Sequence, residues 1–343
     1  MIQAPPLPCP AAPVRRRVIQ AVPTMREVLV IGGGVSGLSA AIVLAEAGYT
    51  VQVAAREFGE GTTSAVAAAF WYPYHAYPEG QVTRLAAVSL RRFATLAVTE
   101  PGAGVRRLEA LEVFPTPVGA PAWSSAAEEF TAVDPGELPE GFRGGYRFRT
   151  AVVETAIYLD WLKARAAAVG VTIVHRTFAS LDEGLATCPT VIDCAGLGAR
   201  ELAADPSLHA VRGQIVRVDN PGLARVLIDE HSGPAITYIV PRSQDVVLGG
   251  TSEAHQEDRT PDPEHTRQIL ARCIALEPRL AGARVRSVAV GLRPARPSLR
   301  LEVDPADPRI IHNYGHGGAG VTLSWGCAEA VLALLHTNST TSP

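Results

Sequence analysis

Lysine is almost absent from this chain. Lys163 is the only one, so arginine carries nearly all of the positive charge. Net charge is −3 over 343 residues, which gives no electrostatic case for nucleic acid or for an anionic membrane. Cysteine is scarce and odd in number: Cys9, Cys188, Cys194, Cys273 and Cys327, with no CxxC pair. That usage argues against a disulfide scaffold and for small buried thiols in a reducing cytoplasm. A Cys188–Cys194 bridge has nothing to support it. No apolar run approaches the roughly 20 residues of a membrane-spanning helix. No internal repeat is found. What remains is a well-cored chain, 47% hydrophobic and 19% charged, long enough for one large or two medium domains.

Residues 1–24 lack the order of a signal peptide. Pro5, Pro6, Pro8, Pro10 and Pro13 precede Arg15-Arg16-Arg17, and the apolar patch Val18–Val22 is too short. Met25 stands directly before the first core strand and is the expected start, with residues 1–24 a disordered tail.

Glycine, by contrast, is concentrated at the two ends. Glu27–Ile31 reads as a buried strand, Gly32-Gly33-Gly34-Val35-Ser36-Gly37 as a turn, and Val35–Ala47 as a helix closed by Gly48. Tyr49–Ala54 alternates like a second strand, completing the start of a βαβ unit. In this setting Gly32-x-Gly34-x-x-Gly37 is a dinucleotide fingerprint. It gives a tight turn, close approach of a pyrophosphate to bare backbone, and close packing of helix on strand. An acidic residue for the ribose is expected about 20 positions on. Here the second strand ends Ala54-Ala55-Arg56-Glu57. Arg56 suits a 2′-phosphate and Glu57 a ribose hydroxyl, so this locus leaves the cofactor open.

The other end repeats the plan. Ile310–Tyr314 is a strand, Gly315-His316-Gly317-Gly318-Ala319-Gly320 a turn, and a helix follows with Val321 and Thr322 in its first turn. Bare backbone and a helix N-terminus suit a flavin ring, because the positive end of the helix dipole stabilises its anionic reduced form. His312 and His316 invite a metal reading, but metal sites need more converging ligands, and no metal is expected. Between the ends, short strand-like pieces such as Leu111–Pro115 and Tyr146–Phe148 follow an aromatic run, Phe70-Trp71-Tyr72-Pro73-Tyr74. Helices are expected over Val153–Ala168 and His265–Leu276. Strands are expected at Val171–His175, Val191–Cys194, Gln214–Val218, Thr237–Val240 and Val246–Leu248.

Several motifs, in order, resemble those of the D-amino-acid oxidase family of FAD enzymes. They are Ala67-Ala68-Ala69-Phe70-Trp71, Arg212-Gly213-Gln214, Tyr238-Ile239-Val240-Pro241, Gly291-Leu292-Arg293-Pro294-Ala295-Arg296-Pro297, and the run from Ile310 through Gly320 with Gly326 and Ala328. The resemblance spans nearly all of Met25–Leu335. It implies an α/β and α+β fold, a Rossmann-like FAD-binding domain interleaved with an antiparallel-sheet substrate domain. The FAD-binding domain would take residues 25–72, 151–208 and 293–337. The substrate domain would take 73–150 and 209–292, and 338–343 would form a second tail.

The implied reaction oxidises a D-amino acid to an imino acid with FAD and oxygen, giving peroxide, then ammonia and a 2-oxo acid. Arg293 and Tyr238 would hold the carboxylate, the carbonyl of Gly318 would receive the amine, and Tyr72 would line the substrate site. A guanidinium suits this work because it grips a carboxylate by two parallel bonds. No protein base is required. FAD would be held by Gly32, Gly33, Gly34, Val35, Ser36 and Gly37. Arg56, Glu57, Thr62, Thr63 and Ser64 would follow, then Ala68, Ala69, Phe70, Phe178, Ala195 and Gly196. Gly317, Gly318, Ala319, Gly320, Val321 and Thr322 would complete its site. Without the resemblance, Tyr238 reads as a strand core residue and Arg293 as a member of a buried ion pair.

The chain departs from the family in places. Pro234 stands where animal members have a second lid tyrosine, Tyr72 where a glutamine is common, Ala319 where a larger residue is usual, and Ala55 where the family has aspartate. D-aspartate oxidase is the nearest alternative, since Gly249-Gly250-Thr251 and Ala275-Leu276-Glu277-Pro278 look like that branch. Its extra arginines are replaced here by Asp229-Glu230 and by Ser252, so neutral substrates are expected. A glycine or sarcosine oxidase, an NADP-dependent reductase and a non-catalytic dinucleotide sensor are further alternatives. The terminal Ser339-Thr340-Thr341-Ser342-Pro343 is not a Ser-Lys-Leu peroxisomal address, and a cytoplasmic location is expected. The partners expected are a small D-amino acid and oxygen, not nucleic acid or membrane, with room left for a homodimer.

Overall fold

The protein is described by a computed structural model covering residue 1, residues 26–233 and residues 235–341, apart from the side chains of 339–341. The expectations for residues 2–24, for the start at Met25, for Cys9 and for a changed lid at Pro234 lie outside the described residues. The N-terminal unit is β1 (Glu27–Gly33), α1 (Val35–Glu46) and β2 (Thr50–Phe58). Strands β1 and β2 pair in parallel, Glu27 opposite Thr50. Val28, Leu29 and Val30 are buried as a continuous apolar run, as a strand covered on both faces requires.

The chain then makes α2 (Thr63–Val66), α3 (Glu79–Thr99), β3 (Val105–Phe114), β4 (Glu128–Ala132) and β5 (Gly144–Val153). Next come α4 (Thr155–Ala168), β6 (Thr172–His175), α5 (Leu181–Leu185), β7 (Val191–Asp193) and α6 (Ala199–Leu202). After these lie β8 (His209–Val218), β9 (Val226–Asp229), β10 (Thr237–Pro241), β11 (Val246–Gly249), β12 (Glu253–Ala254) and α7 (Pro263–Leu276). The chain ends with β13 (Val285–Val303), β14 (Ile310–His316) and α8 (Gly320–Thr341).

One mixed sheet of 14 strands runs through the molecule. At one end β14, β7, β1, β2 and β6 lie parallel, covered by α1, α4 and α8. At the other, β8, β9, β10 and β11 are antiparallel, continued through β3 to β5 and β4. Strand β13 joins the halves: Val285–Ala295 pairs with β8, and Ala295–Val303 with β14. The expected boundary between residues 292 and 293 falls inside this strand.

Some expectations need correction. Residues 79–99, where no helix was expected, form the 21-residue helix α3. Its buried stripe is Val82, Leu85, Ala86, Ser89, Leu90, Phe93 and Leu96. Alanine and serine dilute the stripe, and burial of Leu90 and Phe93, worth about 1.5–3 kcal/mol per large apolar side chain, holds the helix in place. Helix α3 lies on α8, where the Gly326 N–H donates to Ser89 Oγ at 3.0 Å. A side chain at Gly326 would run into the Leu85 backbone.

Helix α8 itself continues to Thr341, so residues 338–341 are not a tail. It is also apolar enough to cross a membrane: over Gly317–Asn338 its best window has mean hydropathy 1.5. The sequence reading missed this because glycine, serine and threonine interrupt the run. In the fold, 61% of that window is buried, packed on α1 and α3. Cys188, Cys194, Cys273 and Cys327 are free thiols.

Candidate functional site

A single elongated cavity of about 600 Å3 runs between the two glycine turns. At its first end, β1 passes through Gly32, with φ +134°, into α1. A side chain at Gly32 would strike the Cys194 carbonyl, and one at Gly37 the Gly32 carbonyl. Both positions serve close packing of β1, α1 and β7. Gly34 differs, because a Cβ there would meet only Ser64 Oγ, at 3.0 Å. Gly34, the N-cap of α1, has no side chain to bond the first turn, and the Val35 N–H donates instead to Ser64 Oγ at 3.1 Å. Bare backbone at Gly34 and a helix N-terminus suit a pyrophosphate. Arg56 and Glu57 both line this end, beside Arg176, whose guanidinium stands 4.3 Å from the Phe178 ring centroid.

The second turn closes the other end. Gly317 has φ +55°, and α8 begins at Gly320 with no acidic residue in its first turn. Thr322 Oγ1 accepts from the Tyr72 N–H at 3.1 Å, tying α8 to the aromatic run. His316 bonds to Asn313 Oδ1 through Nε2 at 3.0 Å, and burial pushes its pKa down to about 4, so the ring is neutral. His312 lies between Asp304 at 2.8 Å and Asp193 at 3.3 Å, in a polar network behind the cavity.

Arg293 is the half-buried cation of this end. Its guanidinium lies against Gly213, where a side chain would overlap it, and Nη1 donates to the Thr251 carbonyl at 3.1 Å. Among the described residues no carboxylate pairs with it, so the alternative reading of Arg293 as a member of a buried ion pair finds no partner there. Arg296 and Arg300 do pair, with Asp205 at 2.7 Å and Glu302 at 2.9 Å. Tyr238 is buried beside Arg293. Burial raises its pKa, against the opposing pull of the Arg293 charge and hydrogen bond. A Cβ at Gly318 would stand 2.8 Å from Tyr74 Cδ1 and 3.7 Å from Arg293 Cδ. Tyr74 thus packs over the glycine turn.

Beyond Tyr74 lies Tyr72, with rings stacked at 6.5 Å. The Tyr72 hydroxyl is 2.8 Å from Glu112 Oε1 and 2.6 Å from Glu230 Oε2. Glu230 is 3.0 Å from His75 Nε2. Burial works to raise the Glu230 pKa, but the bonds from His75 and Tyr72 hold it below the usual range. That bond in turn raises His75. Burial first, then Glu230 and Asp229, push Glu112 up to about 7 against the Tyr72 bond. Asp229 Oδ1 accepts from the backbone N–H groups of His231 and Ser232.

The cavity brings together nearly all of the residues picked from the sequence. Two are not on its wall: Gly37 and Ala319, both buried packing positions. Tyr74, expected from the sequence as part of an aromatic pocket wall, does line the cavity, whereas Gly213, Glu112 and the carbonyl of Thr251 were given no site role. A charge inside the apolar run Leu111-Glu112-Val113-Phe114 was the available signal for Glu112. The residues fit an extended dinucleotide. Its pyrophosphate would lie at Gly34–Ser36, its adenosine end near Glu57 and Phe178, and a ring system between Gly317–Thr322 and Ala68–Phe70.

Two bare glycine turns facing one cavity, with a guanidinium beside the second that no carboxylate among the described residues pairs with, are the site of a dinucleotide-dependent enzyme acting on a small molecule. The chain belongs to the FAD dependent oxidoreductase family, whose profile matches residues 27–334. It is 51% identical over 309 residues to a D-amino-acid oxidase of Rubrobacter xylanophilus, covering 89% of this chain and 94% of that one. It is 42% identical to a D-amino-acid oxidase of Streptomyces coelicolor, covering 90% and 96%. To a D-aspartate oxidase of Homo sapiens it is 34% identical, covering 88% and 92%. Among solved structures, a glycine oxidase from Geobacillus kaustophilus shares the fold with a TM-score of 0.77 at 20% identity, covering 91% and 95%.

Proposed function

We propose that the protein oxidises neutral D-amino acids to 2-oxo acids with release of ammonia and hydrogen peroxide. The carrying observation is Arg293, a cation with no carboxylate partner among the described residues, beside the Gly317–Gly318 turn in the cavity. The higher identity to the two bacterial D-amino-acid oxidases than to the human D-aspartate oxidase supports the substrate class. Bound FAD supplies a hydride acceptor that oxygen restores. Arg293 grips the substrate carboxylate, with Tyr238 donating to the same group. The Gly318 carbonyl receives the amine. Two points are then fixed, and only one enantiomer turns its α-hydrogen to the ring. The first turn of α8, which carries no acidic residue, would offer its N–H groups to a bound flavin ring and favour negative charge there. Phe70, Tyr72 and Tyr74 wall the site from water. An acidic side chain reaching past Tyr72 would approach Glu230, which remains ionised, and be repelled.

The test is a peroxide assay on purified, flavin-loaded protein with D and L forms of alanine, valine, methionine and aspartate. The reading expects turnover of neutral D forms. Equal rates with L forms, or a higher kcat/KM for D-aspartate than for every neutral substrate, would overturn it.

A further inference from the structure

The Tyr72 hydroxyl touches two carboxylates but owns one proton. Glu112 Oε1 lies 2.8 Å away and Glu230 Oε2 2.6 Å. Were both carboxylates ionised, one of these contacts would join two oxygens with no hydrogen between them. Such an arrangement is repulsive at hydrogen-bond distance. The cluster therefore holds a second proton. Glu230 is the poorer home for it. Its Oε1 already meets His75 at 3.0 Å, and its side chain is 24% exposed. Glu112 is only 3% exposed, and its Oε2 has no hydrogen-bond partner among the described residues. A buried, half-partnered carboxyl is far cheaper as a neutral acid than as an anion.

We propose that Glu112 is a neutral carboxylic acid in mildly acidic solution, donating its proton to the Tyr72 oxygen while Tyr72 donates to Glu230, and that this chain positions Tyr72 as a wall of the substrate cavity. The groups facing Glu112 are Tyr72, Glu230, Asp229 and His231, whose Nε2 stands 3.9 Å from Oε1. His75 acts through Glu230. The upward displacement of Glu112 to about 7 agrees in direction. As pH rises through that region Glu112 loses its proton to solvent. Tyr72 then has one proton for two anions, and one contact becomes repulsive. The ring is no longer fixed, and the wall beside a bulky substrate side chain loosens.

The substrate consequence rests on the proposed function; the protonation state does not. The experiment therefore reads both. Infrared difference spectra of the holoenzyme between about pH 6 and about pH 8 report the protonated carboxyl directly. The wild type should show its carbonyl band at the lower pH and lose it at the higher. Glu112→Gln, which keeps a donor for Tyr72 but cannot titrate, should lack the band. Over the same range the wild-type KM for D-leucine should rise roughly 3- to 10-fold with kcat little changed, the loss of one neutral hydrogen bond. The glutamine variant should show no such rise. Tyr72→Phe tests the link without touching the carboxyl: the acid loses its acceptor, and its band should shift to higher frequency. Absence of the band in the wild type, its persistence in Glu112→Gln, or an unshifted band in Tyr72→Phe would each overturn the assignment. A wild type with the band and no turnover of D-amino acids would uphold Glu112 as the acid and defeat the proposed function instead.

Discussion

Gly34→Val separates a glycine needed by the ligand from glycines needed by the fold. Gly34 has φ −85° and ψ −174°, an extended conformation open to valine. A Cβ there meets only Ser64 Oγ, at 3.0 Å, a contact that a small side-chain rotation relieves. The valine methyls then stand in the space assigned to the pyrophosphate. The variant should fold and purify without flavin. Linkage supplies the magnitude. A ligand present at 100 times its Kd stabilises the native state by about 2.7 kcal/mol. For a chain of this size that is a rise in Tm on the order of 5 °C. The wild type stripped of flavin should show this rise when FAD is added, and Gly34→Val should show none. Gly32→Ala, with φ +134° and a carbonyl in the way, should instead lose stability with or without FAD. Flavin absorbance per protein and melting curves read both effects. Stoichiometric flavin in purified Gly34→Val would refute the placement of the pyrophosphate at this turn.

Arg293→Lys keeps the charge but loses the two-point grip; with about 2–5 kcal/mol at stake, kcat/KM should fall by roughly tens- to thousands-fold while the flavin spectrum stays normal. Wild-type activity in that variant would show the carboxylate to be bound elsewhere. Tyr238→Phe should raise KM more than it lowers kcat, since the hydroxyl acts on the carboxylate alone; steady-state kinetics with D-alanine decide this. Glu112 also predicts a stability difference. Its folded pKa is raised from 4.5 to about 7, so its contribution is complete below 4.5 and is lost as pH rises through 7. Between about pH 4 and pH 8 the wild type should lose up to about 3 kcal/mol that Glu112→Gln keeps, measured by urea denaturation at each pH.

The glycine turns were legible because their constraints are written in a few consecutive residues. A strand, three closely spaced glycines and an apolar helix leave little else to propose at Glu27–Glu46 or at Ile310–Thr322. Arg293 was found through its resemblance to a known motif, and only the structure reveals that no carboxylate among the described residues pairs with it. Helix α3 was missed although its spacing is helical, because Ala86 and Ser89 weaken the apolar signal and α8 supplies the rest. The contacts of Tyr72 were out of reach in principle. Glu112 is 40 positions away and Glu230 is 158 away, and they meet only because β3 and β9 lie side by side. Glu230 was noticed as a charge near the lid, yet nothing local tied it to Tyr72.

Strand β13 has a consequence for how such a site can change without failing. Arg293 sits on the one strand that hydrogen-bonds to β8 on one side and to β14 on the other. The proposed substrate anchor and the last glycine turn therefore share a backbone frame, and the distance between them is set by sheet register rather than by the docking of two bodies. The aromatic wall and the segment after β9 hang from other parts of the sheet. Variation there can reshape the space for a side chain while leaving the alignment of carboxylate and ring untouched. Diversification of substrate range is thereby uncoupled from the reacting geometry, and a directed library confined to residues 72–75 and 229–232 should yield altered preferences far more often than dead proteins.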